Sequence, residues 1–164
     1  MRDWEELRRF FPVTLKYIYL DHAGGSPLST QVQSSMEAFL KEATENGYTN
    51  PKMWAETIES CRRSAARLIN ANPDEIAFVK NTTQGIILTA NGINWQVGDN
   101  VVTTNVEFPS NIYPWWNLER HVVETRLVQE MFKRIFFEDF IANIDSRTLI
   151  VTISHVEFAS GFRN

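Results

Sequence analysis

One stretch, residues 76–87 with the sequence IAFVKNTTQGII, constrains the fold of this chain more than any other. Its first four residues, Ile76 to Val79, form an apolar run that favours a strand buried on both faces, as in a parallel sheet. After a polar turn the apolar residues fall three or four apart and share one helix face: Ile86, Ile87, Ala90 and Ile93. The stretch therefore predicts a strand, a tight turn and a helix.

The turn of this stretch is a candidate phosphate site. Thr82 or Thr83 is the expected N-cap of the helix, because a threonine oxygen can accept from the first helix N–H groups. Those N–H groups and the helix dipole also favour an anion, and two hydroxyl groups add donors. Simple capping is the commoner role of such threonines, and both roles stay open at this point. The sequence contains neither a G-x-x-x-x-G-K-[ST] nor a G-x-G-x-x-G pattern.

Length, charge and cysteine content narrow the class of protein. A chain of 164 residues predicts one domain with a substantial core. The net charge of -4 gives no electrostatic reason to expect a nucleic-acid partner, and no apolar run is long enough to span a membrane. The N-terminus has mixed charge and lacks a secretory leader's apolar core, and the single cysteine, Cys61, cannot form an internal disulfide. We therefore expect a cytoplasmic protein.

Helices and strands alternate along the rest of the chain. Helices are predicted over Trp4–Phe11 after a cap at Asp3, from a cap at Ser29 or Thr30 to Gly47, over Pro51–Ile69, over Ile112–Leu118 and over Phe137–Ile144. Strands are predicted over Tyr17–Leu20, Val101–Thr104, Val122–Val128 and Leu149–Ile153, the last buried on both faces. Cys61 falls on an apolar helix stripe and is expected in a core. The alternation predicts an α/β protein with a mostly parallel open sheet.

Three polar loops are expected at the carboxyl ends of strands, where open α/β sheets bind their ligands: 80–83, 105–111 and 154–161. All three could converge on one crevice. Glu107 and Glu157, in two of these loops, could form a carboxylate pair, but solvated or capping roles are the commoner ones. The histidines lie far apart without zinc spacing, so no metal site is expected: His22, His121 and His155.

Four motifs in order resemble the class V aminotransferase group of pyridoxal-phosphate enzymes: YLDHAGGSPLS, AFVKNTTQGI, VEFPSNIYPWW and TISHVEFASG. That group includes cysteine desulfurases, kynureninases and isopenicillin-N epimerase-like proteins. The similarity runs from about Tyr19 to the end of the chain. It implies an incomplete large domain of the aspartate-aminotransferase-like fold, with an N-terminal segment and active-site-mouth loop over 1–28 and a partial cofactor-binding domain over 29–164.

The resemblance implies pyridoxal 5′-phosphate as the cofactor and suggests which residues bind it. Thr82 and Thr83 match the turn that holds the cofactor phosphate. Phe108 matches the position whose ring stacks on the pyridine ring, and His155 lies at a strand end near the cofactor. Desulfurases usually have histidine in place of Phe108, and a phenylalanine can stack but cannot transfer protons.

Two further parts of the site follow from the resemblance. The loop containing His22, Ala23 and Gly24 matches the mouth of the active site, where substrate enters. Phe158 stands where desulfurases commonly have an asparagine for the phenolic oxygen of the cofactor, so that contact is not expected here. The complete enzyme is expected to be a homodimer that acts on an amino acid.

The resemblance also implies a lysine, preceded by histidine, that binds the cofactor covalently, and an aspartate that holds the pyridine nitrogen. Both lie downstream of the last motif, and none of the lysines present follows a histidine: Lys16, Lys41, Lys52, Lys80 and Lys133. We therefore expect this chain alone to be catalytically incompetent. Transamination, epimerisation, desulfuration and elimination stay open for the parent enzyme. The alternatives are a non-catalytic dimerisation or partner-binding fragment, and a phosphate-binding α/β module unrelated to this family.

Overall fold

The computed structural model describes residues 4–164, which divide into two compact units, one ending at Ala77 and the other spanning Phe78–Asn164. The helix cap predicted at Asp3 lies outside the described residues. The boundary expected after residue 28 stays a prediction.

The first unit is helical. Its α-helices are α1 (Trp4–Arg8), α2 (Thr30–Asn46) and α3 (Pro51–Ile69), and its 3-10 turns are Pro12–Leu15 and Pro73–Glu75. Ser29 caps α2 as predicted, because its hydroxyl oxygen accepts from the Val32 N–H at 3.2 Å. Pro51 opens α3 as predicted, where its fixed φ suits a first turn.

Two predictions for the first unit are wrong. Residues 17–20 form no strand: Ile18 is 92% exposed, and the segment has no pairing partner in the described part of the chain. Cys61 is exposed rather than in a core, and Ala66 is the residue of α3 that is buried. An amphipathic stripe indicates which face of a helix can be buried, but not whether another element covers it.

The second unit is built on a parallel sheet. Its strands are β1 (Asn100–Thr104), β2 (Glu124–Val128) and β3 (Thr148–Val151), and its helices are α4 (Thr82–Gly92), α5 (Tyr113–Trp116) and α6 (Phe137–Asn143). The strand order is β2-β1-β3, and β1 pairs in parallel with both neighbours. This confirms the predicted α/β class and mostly parallel sheet.

Every residue of β1 is buried, and its side chains alternate between two cores. Val101 packs in one cluster, with Ala90 of α4 and Trp115 of α5. Val102 packs on the other face, with Val128 and Phe140 of α6. The central strand therefore carries a layer of helices on each side, which explains its continuous apolar and β-branched sequence.

The structure corrects two strand predictions. The run Ile76–Val79 is not a strand, and its Phe78 and Val79 are 50% and 43% exposed. This segment pairs with none of the described strands. β3 is not buried on both faces: Ile150 packs against a core cluster, whereas Leu149 on the opposite face is 46% exposed.

A polar network fixes the register where the three strands begin. Asn100 is fully buried, donates to Asp145 Oδ1 at 3.0 Å and accepts from the Thr148 hydroxyl at 2.7 Å. Arg126 of β2 donates to Asp145 Oδ2 at 2.7 Å. The Arg126 guanidinium, helped by hydrogen bonds from the Arg147 backbone and Asn100, lowers the pKa of Asp145 to about 2. All three strands are thus tied to one carboxylate.

We predict that Asp145 makes stability fall in acid. A carboxyl whose pKa is lower in the folded state, about 2 against an ordinary 3.8, stabilises the fold above pH 3.8, and this contribution disappears as the pH falls towards 2. Asp145→Asn should lower the urea midpoint at pH 7 and flatten its decline between about pH 4 and pH 2. Glu138→Gln, which removes an exposed carboxylate from α6, is the control. An Asp145→Asn variant with the wild-type pH profile would contradict this account.

Candidate functional site

The N-terminus of α4 is capped one residue earlier than predicted. The cap is Asn81, whose backbone is extended and whose side-chain oxygen accepts from the Gln84 N–H at 2.9 Å. Gln84 in turn accepts from the Lys80 N–H at 2.6 Å. Because Asn81 does the capping, Thr82 and Thr83 become the first two helical residues. Their N–H groups have no acceptor within the helix, and their hydroxyls are not used as caps.

Thr83 connects this helix end to the loop that follows β1. Its hydroxyl oxygen lies 2.9 Å from that of Ser110, and Thr83 is half-buried while Thr82 is exposed. In such a pair one hydroxyl proton lies between the two oxygens and the other can be donated outward. Two of the three loops that the sequence placed at strand ends therefore meet here.

The loops after β1 and β3 meet through two aromatic rings. The ring centroids of Phe108 and Phe158 are 5.2 Å apart and the planes are at 88°, an edge-to-face contact. Both residues remain about half exposed. The pair therefore offers an apolar ring surface that is accessible to a ligand.

Glu107 makes a second connection between the same two loops. It is 5% exposed, and its two carboxylate oxygens accept from the N–H and the hydroxyl of Ser154 at 2.5 and 2.7 Å. The solvated role expected for Glu107 is therefore wrong. The strand pairing brings the two residues together although 47 positions separate them, so no local pattern in the sequence could reveal the contact.

Glu157 is also buried, at 2% exposure, and a solvated role is wrong for it too. Burial raises its pKa, as do the charges of Glu107 and Glu130, while a hydrogen bond from Asn164 to Oε1 at 2.8 Å acts in the opposite direction. Its Oε2 is buried with no hydrogen-bond partner in the part of the chain that the structure describes. The two glutamates are thus close enough for the charge of one to disfavour ionisation of the other.

Asn111 is a buried junction that the sequence analysis did not identify as polar support. Its side-chain oxygen accepts from Trp115 Nε1 at 3.2 Å and from the Thr152 hydroxyl at 2.7 Å. These bonds join the turn after β1 to helix α5 and to the residue that follows β3. The support beneath the Phe108 loop is therefore polar as well as apolar.

His155 is not brought into contact with Thr83 or Phe108 by any described hydrogen bond or ring contact. It is exposed, and its carbonyl oxygen accepts from the Asn164 N–H at 3.1 Å. The residue borders a groove of about 430 Å³ with mainly apolar walls from α6 and the end of β3. Those walls include Ile135, Phe137, Phe140, Ile141, Ile144, Val151 and Ile153. The role of His155 near a cofactor stays a prediction.

The loop with His22, Ala23 and Gly24 belongs to the first unit and is closed on itself. Asp21 accepts from the Gly24 N–H through its side chain at 3.0 Å, and the His22 ring meets Tyr19 edge-on with centroids 5.3 Å apart. A Cβ at Gly24 would lie 2.5 Å from an Asp21 side-chain oxygen, so a larger residue there would displace the Asp21 carboxylate. Substrate entry at this loop stays a prediction.

Residues 4–164 contain no group of three or more histidine, cysteine, aspartate or glutamate side chains that could hold a metal ion. None of the helices in this range is both long and apolar enough to cross a membrane.

The family model described as Aminotransferase class-V matches residues 18–164, and the chain belongs to this family. A probable cysteine desulfurase from Methanothermobacter thermautotrophicus is 32% identical over 162 residues, covering 96% of this chain and 40% of that protein. A cysteine desulfurase from Salmonella newport is 32% identical over 176 residues, covering 98% and 43%. The chain thus spans about two fifths of the length of these relatives.

Two solved structures have a fold similar to that of this chain. The apo cysteine desulfurase from Thermococcus onnurineus matches with a TM-score of 0.78 at 26% identity, covering 96% of this chain and 41% of that one. A variant of C-DES with glycine covalently linked to its pyridoxal-phosphate cofactor matches with a TM-score of 0.83 at 22% identity, covering 96% and 42%.

The comparisons confirm three expectations from the sequence. The family is the predicted one, the fold is a partial large domain of pyridoxal-phosphate enzymes, and pyridoxal phosphate is the cofactor of the family. Membership also removes the alternative of a phosphate-binding module unrelated to this family.

Proposed function

We propose that this chain is part of a pyridoxal-phosphate-dependent enzyme that acts on an amino acid, and that its second unit binds the phosphate and the ring of the cofactor. One observation carries the proposal. The N-terminus of α4 and the loops after β1 and β3 are joined by the Thr83–Ser110 and Phe108–Phe158 contacts. Ligands of open α/β sheets bind at this edge, beyond the carboxyl ends of the strands.

The residues present at the end of α4 fit a phosphate. The N–H groups of Thr82 and Thr83 lack helical acceptors, and the positive end of the helix dipole lies at the same place. The hydroxyl pair of Thr83 and Ser110 can supply a further donor. These groups match the three negatively charged oxygens that a phosphate monoester presents.

The residues of the two loops fit a pyridine ring. Phe108 is a half-exposed apolar ring, and Phe158 packs against it at about a right angle. When bound, pyridoxal phosphate supplies an electron sink for bonds to the α-carbon of an amino acid. Phe108 orients the ring and excludes water from one face, but it cannot hold a proton. Any proton transfer on that side therefore requires another group, for which His155 is our candidate.

The identity of the reaction is a finer proposal. The relatives named cysteine desulfurases favour desulfuration of an amino acid. Phenylalanine at 108 and 158 departs from the residues usual in desulfurases, so transamination, epimerisation and elimination stay open. In this proposal His22, Ala23 and Gly24 form the substrate entry, and the protein is cytoplasmic.

We predict that the threonines of α4 hold the cofactor phosphate. Replacing both Thr82 and Thr83 by alanine removes two hydroxyls, and a hydrogen bond to a charged group contributes about 1.5–3 kcal/mol. Affinity for pyridoxine 5′-phosphate should fall at least tenfold, as measured by calorimetry. This ligand keeps the phosphate and the ring but lacks the aldehyde that would react with surface lysines.

Thr89→Ala is the matched control, because Thr89 lies on an exposed position of the same helix and donates to the Gly85 carbonyl. Its affinity should equal that of the wild type. Unchanged affinity in a folded variant lacking both Thr82 and Thr83 hydroxyls would refute the phosphate assignment.

We also propose that the chain associates as a homodimer through apolar surface on its helices. The same association would be expected of a non-catalytic dimerisation fragment. Four apolar side chains of α2, which we call the stripe, are 44–61% exposed: Val32, Met36, Phe39 and Leu40. On α3, Met53 and Ile58 are 47% and 51% exposed. Contiguous apolar surface of this kind marks association sites in stable proteins.

We predict that the wild-type chain sediments as a dimer or larger species at micromolar concentration. Leu40→Lys places a charge in the stripe and should weaken association tenfold or more, since burying one leucine contributes about 1.5–3 kcal/mol. Ser34→Lys adds the same charge at an exposed polar position of α2 and should leave association unchanged. A wild-type monomer that unfolds cooperatively and binds no hydrophobic dye would contradict the proposal.

A further inference from the structure

The carboxylate of Glu107 accepts two hydrogen bonds from Ser154, which lies on another loop. We call this pair of hydrogen bonds the tie. Ser154 approaches it with a backbone N–H at 2.5 Å and a hydroxyl at 2.7 Å, so both carboxylate oxygens are used. The N–H is fixed by the backbone, and the hydroxyl rotates to fit. At 5% exposure these charge-assisted bonds are shielded from water and are correspondingly strong.

The tie also restrains the two aromatic rings of the candidate site. Phe108 follows Glu107 directly, and neighbouring Cα atoms are about 3.8 Å apart, so holding Glu107 restricts where the Phe108 ring can lie. Ser154 begins the loop that carries Phe158, the ring that touches Phe108 edge-on. This carboxylate therefore helps to set the distance between the two loops whose rings form the apolar surface, together with the Asn111–Thr152 hydrogen bond.

The tie has an electrostatic cost. Burial raises the pKa of Glu157, whose Oε2 has no hydrogen-bond partner among residues 4–164, and the charge of Glu107 raises it further. Glutamine could make the same two bonds without this repulsion, because its oxygen can accept from the Ser154 N–H while its amide donates to the Ser154 oxygen. The geometry of the tie, rather than the charge itself, is therefore what acts on the rings.

We propose that Glu107 is a positioning residue for the cofactor ring: by holding Ser154 it keeps Phe108 and Phe158 in the arrangement that contacts the pyridine. The inference rests on the proposed function. It concerns the ring rather than the phosphate, because the N–H groups proposed to bind the phosphate belong to α4, and the turn that holds Ser110 has its own support from the Asn111 hydrogen bonds. Loss of the tie should consequently weaken a ligand with a ring and spare one without.

The test compares two ligands by calorimetry, pyridoxine 5′-phosphate and inorganic phosphate. In Glu107→Ala the affinity for pyridoxine 5′-phosphate should fall about three- to tenfold, the range of an aromatic contact, while phosphate affinity stays within about twofold. Glu107→Gln should restore the wild-type ratio of the two affinities. Glu119→Ala, which removes an exposed carboxylate, controls for the effect of net charge on anion binding.

Ser154→Ala keeps the N–H bond and loses the hydroxyl bond, so it tests the tie even where Glu107→Ala fails to fold. Its affinity ratio should lie between those of the wild type and Glu107→Ala. An unchanged ratio in Ser154→Ala, or an equal loss for both ligands in Glu107→Ala, would overturn the inference alone. A wild-type chain that binds neither ligand would instead refute the proposed function.

Discussion

The pairing of β1 with a parallel neighbour on each side is the constraint on which the second unit depends. All five residues of β1 are buried, with Val101 facing α4 and α5 and Val102 facing α6. Because the three strands run the same way, the loops that leave β1 and β3 emerge at one edge of the sheet. The contacts between those loops follow from this pairing, and so does the proposed cofactor site.

The sequence predicted the elements that short-range patterns specify. The continuous run of β1, the cap at Ser29 and the proline opening α3 are all local signals, and each was confirmed. The run Ile76–Val79 has an equally apolar pattern, but it pairs with none of the described strands and forms no strand. An apolar pattern indicates that a segment can be buried, whereas its actual burial depends on which other elements pack against it.

The residues of the candidate site also fall into two groups, those that the sequence indicates and those whose contacts depend on strand register. Thr83 and Phe108 could be found from motifs, and the structure gives each a partner. The partners themselves, Ser110 and above all Ser154, could not be found, because a serine carries no periodic signal and its contact depends on strand register. Asn81 was missed as the cap because two threonines beside it offered the same chemistry.

We propose that the carboxyl edge of this sheet binds a phosphorylated pyridine, and a titration with pyridoxine 5′-phosphate followed by NMR amide shifts can locate the bound ligand. We expect saturable shifts at Thr82, Thr83 and Phe108, and none at Asn100, which lies at the opposite end of β1. Shifts confined to Asn100 or to the groove beside α6, or no saturable shifts at all, would contradict this proposal.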